Sequence, residues 1–162
     1  MGNFKYIVLL IMVMLFSMLP ASSQDQEYSW GIGVSALSPG LPAALKVVYS
    51  PAAWGVQLEA NYFYLWGMAR IDGIREVFSK GISSGYIFAG ITANHFNDPD
   101  EGIENVLSAD LGIGAELRLG KKQRFSIGAE GGLLVPFYSS KGLENYQDSG
   151  FMVANIYALI WF

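Results

Sequence analysis

The segment LSADLGIGAELRLGKKQRFSIGAEGGLLVPFY, residues 107–138, decides the fold of this chain. Every second residue from 107 to 119 is apolar, and the alternation resumes from 125 to 137 after a basic turn. Four charged residues stand between the apolar ones, namely Asp110, Glu116, Arg118 and Glu130. A period of two is typical of β-strands with one apolar and one polar face. The segment therefore predicts an antiparallel hairpin.

The apolar faces of the two strands also set their register. The simplest pairing places Leu119 opposite Phe125 and Leu117 opposite Ile127. A slip by one residue would turn the apolar face of a strand over. We therefore expect an odd-numbered loop centred on Lys122.

Similar alternation recurs along the chain and predicts eight strands with the hairpin included. The other six are expected at residues 28–36, 43–49, 54–66, 69–78, 83–96 and 151–162, and the pattern is poor only at 69–78. The connections alternate in kind. Short ones lie at 50–53, 79–82 and 120–123, and longer ones at 37–42, 67–72, 97–104 and 139–150. This predicts an all-β, eight-stranded antiparallel up-and-down barrel.

The first residues have the composition of a cleaved secretory signal peptide, assigned to 1–23. Lys5 gives a positive start, 7–19 form an apolar core, and Ala21, Ser22 and Ser23 are small residues suited to cleavage. The alternative is a membrane anchor, but the core is shorter than the ~20 residues that a spanning helix needs. Residues 24–162 are then the barrel domain.

Charge and cysteine content narrow the class of protein further. The chain has 10 basic residues, of which Lys5 precedes the cleavage site, so nine remain against 14 acidic ones. This balance argues against a nucleic-acid partner. The chain has no cysteine, which excludes a disulfide framework.

Aromatic placement indicates which face meets lipid. In a soluble barrel the apolar face points inward, whereas in an outer-membrane barrel it points to lipid. Aromatic residues at both strand ends fit the two interfaces of a bilayer. We assign to one interface Tyr28, Trp30, Tyr49, Trp54, Phe125 and Phe162, and to the other Tyr62, Tyr64, Trp66 and Phe137.

The polar faces are expected to fill a narrow lumen. They carry Lys46, Glu59, Asp110, Glu116, Arg118 and Glu130 among small residues. An eight-stranded barrel is only wide enough for side chains, so we expect a packed network rather than an ion path. Pairing Tyr49 with Trp54 would place Lys46 opposite Gln57 and diagonal to Glu59, which predicts a Lys46–Glu59 ion pair.

The final strand, NIYALIWF, adds a resemblance to a known family. Its apolar face, Ile156, Ala158, Ile160 and Phe162, resembles the assembly signal of Gram-negative outer-membrane β-barrels, although Ile160 stands where an aromatic residue is frequent. The mature chain resembles the small transmembrane barrels of OmpA and OmpX. The resemblance implies an outer-membrane location, contacts with outer-membrane lipid and lipopolysaccharide, and insertion by the barrel assembly machinery.

The lone histidine raises an enzymatic alternative. Some small outer-membrane barrels are lipid A deacylases or palmitoyltransferases with a Ser/His/acid arrangement, which makes His95 a candidate base. The deacylase pattern places a serine two residues after the histidine, and here that position is Asn97. The serines to consider are Ser83, Ser84 and Ser108. An interfacial position of His95 is the other interpretation.

Two further motifs suggest ligand binding only weakly. Asp98, Asp100, Glu101 and Glu104 could gather a divalent cation, but they lack EF-hand spacing. The Gly-Ile-Gly motifs at 31–33 and 112–114 precede no helix that would cradle a phosphate. We therefore expect no cofactor and no metal site.

The sequence thus predicts an integral outer-membrane barrel, not an enzyme, with a structural or surface-interaction role. The alternatives are a lipid A-modifying enzyme and a secreted soluble ligand-binding barrel. Both chain ends are expected on the periplasmic side. Residues 97–104 and 139–150 would then lie outside the cell, where they could contact an extracellular partner.

Overall fold

The computed structural model describes residues 29–38, 43–63, 65–100, 102–144 and 151–162, which form a closed antiparallel barrel of eight strands. The strands are β1 (Trp30–Ser38), β2 (Ala44–Tyr49), β3 (Trp54–Phe63), β4 (Trp66–Lys80), β5 (Ser83–Asp98), β6 (Gly102–Leu119), β7 (Phe125–Ser139) and β8 (Phe151–Trp161). Each strand pairs with the next along the chain, and β8 pairs with β1. The predicted all-β up-and-down barrel is confirmed.

The described residues consist mainly of strands and the turns between them. They contain no helix that is long and apolar enough to cross a bilayer. The predicted signal peptide lies outside them, so its assignment stays a prediction.

The β6–β7 hairpin has the predicted register. Leu119 pairs with Phe125 and Leu117 with Ile127, which leaves a five-residue loop centred on Lys122. Gly120 has a φ of 83° in this loop, which suits glycine in a tight turn. Farther along, the ladder contains a register shift between Leu107 and Ser108 that the alternation did not predict.

The third strand is present as predicted, but its predicted end and the predicted loop after it are wrong. The chain turns after Phe63, which pairs directly with Trp66, and residues 67–72 lie within β4 rather than in a loop. Alternate residues of a strand share a face, so Trp66 points inward with Met68 and Arg70 and not outward with Tyr62. Trp66 packs against Ala44 and Met68 inside the barrel.

The predicted loop at 97–104 is also shorter than expected. Asp98 pairs with Gly102, so both strands continue almost to the tip of the hairpin. Gly102 has a φ of 79°, and the Asp98 carboxylate accepts a hydrogen bond from the Asp100 amide at 2.8 Å. These local features allow a tight turn in place of a loop.

The predicted β2–β3 register is shifted by two residues. Tyr49 pairs with Val56, so Lys46 lies opposite Glu59 and Val48 opposite Gln57. The first and last residues of the 50–53 connection do not extend the β2–β3 pairing and bond to other parts of the barrel. The Ser50 amide donates to the Ser29 carbonyl, and the Glu76 amide donates to the Ala53 carbonyl, both at 2.9 Å. A shift by two keeps every side chain on its predicted face.

Apolar side chains cover the outside of this barrel, and polar ones fill the inside. Large aliphatic residues are about half exposed on every strand, including Val34, Leu45, Leu58, Ile71, Ile91, Ile113, Leu133 and Ile156. In contrast, Lys46 and Asp72 are fully buried, and Glu59, Arg70, Asp110 and Glu130 nearly so. A smaller apolar cluster around Phe88, Tyr157 and Leu159 shares the interior.

Glycines on the inner face let the large rings lie against the barrel wall. A Cβ atom at Gly128 would lie 2.2 Å from Cζ of Tyr157 and 2.7 Å from the Ala115 carbonyl oxygen. At Gly131, three residues along β7, a Cβ atom would meet nothing within 4 Å. Gly128 is therefore required by packing, and Gly131 is not.

We expect Gly128→Ala to lower the free energy of unfolding by about 1–3 kcal/mol, because the added methyl group displaces Tyr157 or the backbone. Gly131→Ala should be neutral or slightly stabilising, since glycine weakens a strand interior. Urea unfolding of the refolded chain in detergent measures both. Equal effects of the two substitutions would contradict the packing described here.

Candidate functional site

Polar side chains from neighbouring strands form two rows across the inner wall. One row follows the register Lys46, Glu59, Arg70, Thr92 and Ser108 from β2 to β6. The other follows Gln57, Asp72, Gly90 and Asp110 from β3 to β6. Residues directly opposite in a ladder are close enough to interact. The rows therefore bring opposite charges and hydrogen-bonding groups together.

Arg70 lies at the centre of these rows and contacts four carboxylates. Its Nε lies 2.7 Å from Asp72 Oδ2 and 3.4 Å from Asp110 Oδ2. Its Nη1 lies 3.3 Å from Glu59 Oε2 and 3.2 Å from Glu130 Oε2. Of these groups, Nη1 donates hydrogen bonds to Glu59 and Glu130, whereas Nε lies close to the two aspartates without a hydrogen bond in the described part of the chain.

The guanidinium of Arg70 also lies over an aromatic ring. Its Cζ is 4.4 Å from the centroid of the Phe88 ring, and Phe88 is almost fully buried. A cation over a ring face is stabilised by the ring quadrupole. This contact holds Arg70 at the centre of the lumen.

Lys46 pairs with Glu130 and not with Glu59, so the predicted Lys46–Glu59 ion pair is wrong. The Lys46 Nζ lies 2.5 Å from Glu130 Oε1 and 4.4 Å from the centroid of the Tyr157 ring. Glu59 lies directly opposite Lys46, but its oxygens accept hydrogen bonds from Ser35, Arg70 and Asn155. Lys46 instead reaches across the lumen from β2 to β7.

Neutral donors also bind the buried carboxylates. Gln57 Nε2 donates to Asp72 Oδ2 at 2.7 Å, and Thr92 Oγ1 donates to Asp110 Oδ2 at 2.5 Å. Asn155 Nδ2 donates to Glu59 Oε1 at 3.0 Å. Buried charges need such bonds, because burial removes their hydration.

The other two predicted lumenal charges form an ion pair nearer the short turns. Arg118 Nε lies 2.8 Å from Glu116 Oε1, and the Arg118 guanidinium lies 4.2 Å from the centroid of the Trp161 ring. The Tyr157 hydroxyl donates to Glu116 Oε2 at 3.3 Å. All six predicted lumenal residues therefore lie inside, and Tyr157, which also contacts Lys46, joins this pair to the larger network.

Sequence reasoning missed Arg70 and Asp72, because they fall where the predicted loop at 67–72 overlaps the poorly patterned strand at 69–78. The usable signal was the alternation of Arg70, Asp72 and Glu76 with smaller or apolar residues. It was obscured by Met68 and Ile74, which are apolar and also point inward. A strand with a mixed inner face shows no clean alternation.

Most of the predicted interface aromatics lie on the outer surface. Trp30, Tyr49, Trp54, Phe125 and Phe162 are exposed at the short-turn end, and Tyr62 and Phe137 at the other end. Tyr28 and Tyr64 lie outside the described residues, and the assignment of Trp66 is wrong because it points inward. Exposed Phe78 and Tyr138 extend the two belts beyond the predicted residues.

The structure does not assemble the candidate catalytic residues. His95 Nδ1 lies 2.8 Å from Asn105 Oδ1, and the His95 ring stacks on Tyr62 at 6.5 Å between centroids. Ser83 and Ser84 lie at the opposite end of β5. Ser108 is buried on the inner face.

The acidic hairpin tip does not gather ligands for a metal. Within the described part of the chain, no group of three or more histidine or acidic residues could hold a metal ion, and Glu101 lies outside that part. The Glu104 carboxylate accepts a hydrogen bond from Ser139 at 2.6 Å. Asp98 binds the amide of Asp100 within its own turn.

Comparison with known proteins gives one similar structure. No protein-family model matches the sequence, and no curated protein matches it. The chain is similar to the crystal structure of Ail, the attachment invasion locus protein of Yersinia pestis, with a TM-score of 0.49 and 17% identity. The alignment covers 86% of this chain and 100% of that chain. A likeness at this identity concerns the fold alone.

The contacts of Lys46 lead to a prediction about energetic coupling. A double-mutant cycle on Lys46→Met and Glu130→Gln should give a coupling of about 1–3 kcal/mol in urea unfolding, because the two groups are in direct contact. The matched cycle on Lys46→Met and Glu59→Gln should give a smaller value. A coupling to Glu59 that equals or exceeds the coupling to Glu130 would refute the pairing.

Proposed function

We propose that this chain is an integral outer-membrane barrel with a structural or surface-interaction role and a packed lumen. The observation that carries the proposal is the inversion of its surfaces. Lys46 and Asp72 are 0% exposed, whereas Ile113 and Ile156 are 68% and 66% exposed. In water this arrangement would expose apolar surface around the whole barrel, which soluble monomers avoid. In a bilayer the same surface meets lipid.

The dimensions and aromatic belts support a membrane location. A tilted strand of about 9–11 residues crosses the hydrocarbon layer, and β3 and β8 have 10 and 11 residues. The exposed aromatic residues stand at the two ends of this band, where Trp and Tyr are enriched in membrane proteins. Because the barrel is closed, no strand has an unpaired edge. Lipid could not form hydrogen bonds with the backbone groups of such an edge.

Contacts across the lumen favour a packed interior over a pore. Lys46 on β2 reaches Glu130 on β7, and Asn155 on β8 reaches Glu59 on β3. Arg70 on β4 meets Glu130 from the opposite side. These bonds join walls of the barrel that are not neighbours. Side chains therefore occupy the middle of the barrel, as expected for eight strands.

The two alternative functions receive less support. A secreted ligand-binding barrel would carry its apolar face inside, and this lumen carries charges. A lipid A-modifying enzyme would need a nucleophile close to His95, whose described partners are Asn105 and Tyr62.

The surface role would belong to the end that carries the β7–β8 connection, residues 140–150, which is the longest connection of the barrel. The β5–β6 hairpin presents exposed Asp98 and Asp100 there, and the β7–β8 connection presents exposed Lys141 and Glu144. The similar structure is described as that of an attachment invasion locus protein. For this chain, we propose that the exposed charged residues at this end contact an extracellular partner. Lipopolysaccharide would surround this end, and the barrel assembly machinery would insert the chain by way of Ile156, Ala158, Ile160 and Phe162.

Cell fractionation followed by trypsin treatment of intact cells tests this proposal. We expect the protein in the outer-membrane fraction, with a cut after Lys141 and none after Lys121 or Lys122, because the short turns face the periplasm. Lys141→Gln should abolish the cut, and permeabilised cells should be cut at the short turns. Recovery in a soluble fraction would overturn the membrane assignment, and cuts confined to Lys121 and Lys122 would reverse the orientation.

A further inference from the structure

The exposed basic side chains of this barrel are concentrated at its short-turn end. Lys80 closes β4, and Lys121, Lys122 and Arg124 lie in or beside the β6–β7 turn, all of them exposed. We call these four residues the basic rim. Near them, the Arg75 guanidinium lies 4.6 Å from the centroid of the Trp54 ring on the same end of the barrel. Most basic residues that follow the signal segment are therefore at this end.

The two turns that carry the basic rim are neighbours in space. Strand β5 begins opposite β6, with Ser83 paired to Leu117, and Lys80 pairs with Ser83. The Arg118 amide donates to the Ile82 carbonyl at 2.7 Å, which joins the β4–β5 turn to the end of β6. The basic rim therefore forms one patch. The third short turn, residues 50–53, carries no charge.

An outward apolar surface continues directly from the basic rim. Phe78, Ile82 and Phe125 are 51%, 51% and 44% exposed and come from the same two hairpins. The patch thus presents ammonium and guanidinium groups beside rings and an aliphatic chain. A ligand that matches both parts has an anionic head and apolar tails.

The opposite end of the barrel has the reverse charge. Asp98, Asp100 and Glu144 are exposed there, and Lys141 is the basic residue that the described part of the chain contributes. An anionic lipid would be repelled at that end and attracted at the short turns. The charge distribution therefore distinguishes the two leaflets that would border the barrel.

We propose that the basic rim binds the phosphate headgroups of anionic glycerophospholipids in the leaflet that borders the short turns. This inference rests on the proposed membrane function and adds the lipid class and the residues that select it. The phosphate lies among Lys80, Lys121 and Lys122, while the acyl chains cover Phe78, Ile82 and Phe125. Each basic residue near an anionic membrane surface strengthens attachment by about fivefold. A free phosphate ion would meet only the charged half of this patch.

Native mass spectrometry of the refolded mature chain tests the proposal. The protein is released from micelles that contain equal amounts of phosphatidylglycerol and phosphatidylcholine with identical acyl chains, and retained lipids are counted. We expect preferential retention of phosphatidylglycerol. Lys80→Gln, Lys121→Gln and Lys122→Gln together should lower that preference about tenfold or more. The corresponding three Lys→Arg changes should preserve it, and Lys141→Gln at the other end should leave it unchanged.

Heat-dependent gel mobility reports folding of every variant. If the triple glutamine variant does not fold, Lys122→Gln alone should still lower the preference severalfold. An unchanged preference in the folded glutamine variants overturns the inference, as does an equal loss in Lys141→Gln. Stronger retention of lipid A through the same lysines overturns the assignment to glycerophospholipid. A wild-type chain without a heat-dependent shift would instead contradict the proposed function.

Discussion

The guanidinium of Arg70 links carboxylates from four strands, and the interior depends on this link. It contacts Asp72 on its own strand and Glu59, Asp110 and Glu130 on β3, β6 and β7. Four carboxylates at this distance would repel one another strongly in a low-dielectric interior. Arg70, with Lys46 on Glu130, offsets much of that repulsion. Removing one partner from such a buried network is far more costly than replacing the whole network.

The network and the outer surface together explain why the chain folds as a closed barrel. The inner glycines at positions such as 128 leave room for Tyr157 and the long charged side chains. The outer face is covered by aliphatic residues between two groups of aromatic ones. A bilayer favours such an exterior and requires that no strand edge stays open. Fold, lumen and proposed location are therefore consequences of one alternating pattern.

Much of the barrel could be predicted from that pattern, because a strand with one apolar and one polar face shows strict alternation of apolar and polar residues. The β6–β7 register followed from matching the faces of Leu117, Leu119, Phe125 and Ile127. The position of the β3–β4 turn could not be predicted in this way. Met68 and Ile74 are apolar residues on the inner face, and the run of aromatic residues after Tyr62 hides the end of β3. That error also concealed Arg70 and Asp72 and misplaced Trp66.

The partner of Lys46 was beyond the reach of sequence reasoning for a different reason. Matching the apolar faces leaves several possible registers for a strand pair, which differ from one another by two residues. The observed register of β2 and β3 is accompanied by hydrogen bonds from Ser50 to Ser29 and from Glu76 to Ala53, which the sequence pattern does not reveal. The Lys46–Glu130 contact also joins β2 to β7 across the lumen. Such a contact depends on closure and on the stagger of the barrel, which no single hairpin reveals.

The membrane location depends on contact between the alternating apolar face and lipid. The chain has no cysteine, so single nitroxide labels can be placed without background. Labels at Ile113, Ile91 and Leu133, in vesicles, should collide often with dissolved oxygen and rarely with a water-soluble nickel chelate. A label at Lys122 should show the opposite. Nickel collisions at Ile113 as frequent as those at Lys122 would place the apolar face in water and contradict a membrane location.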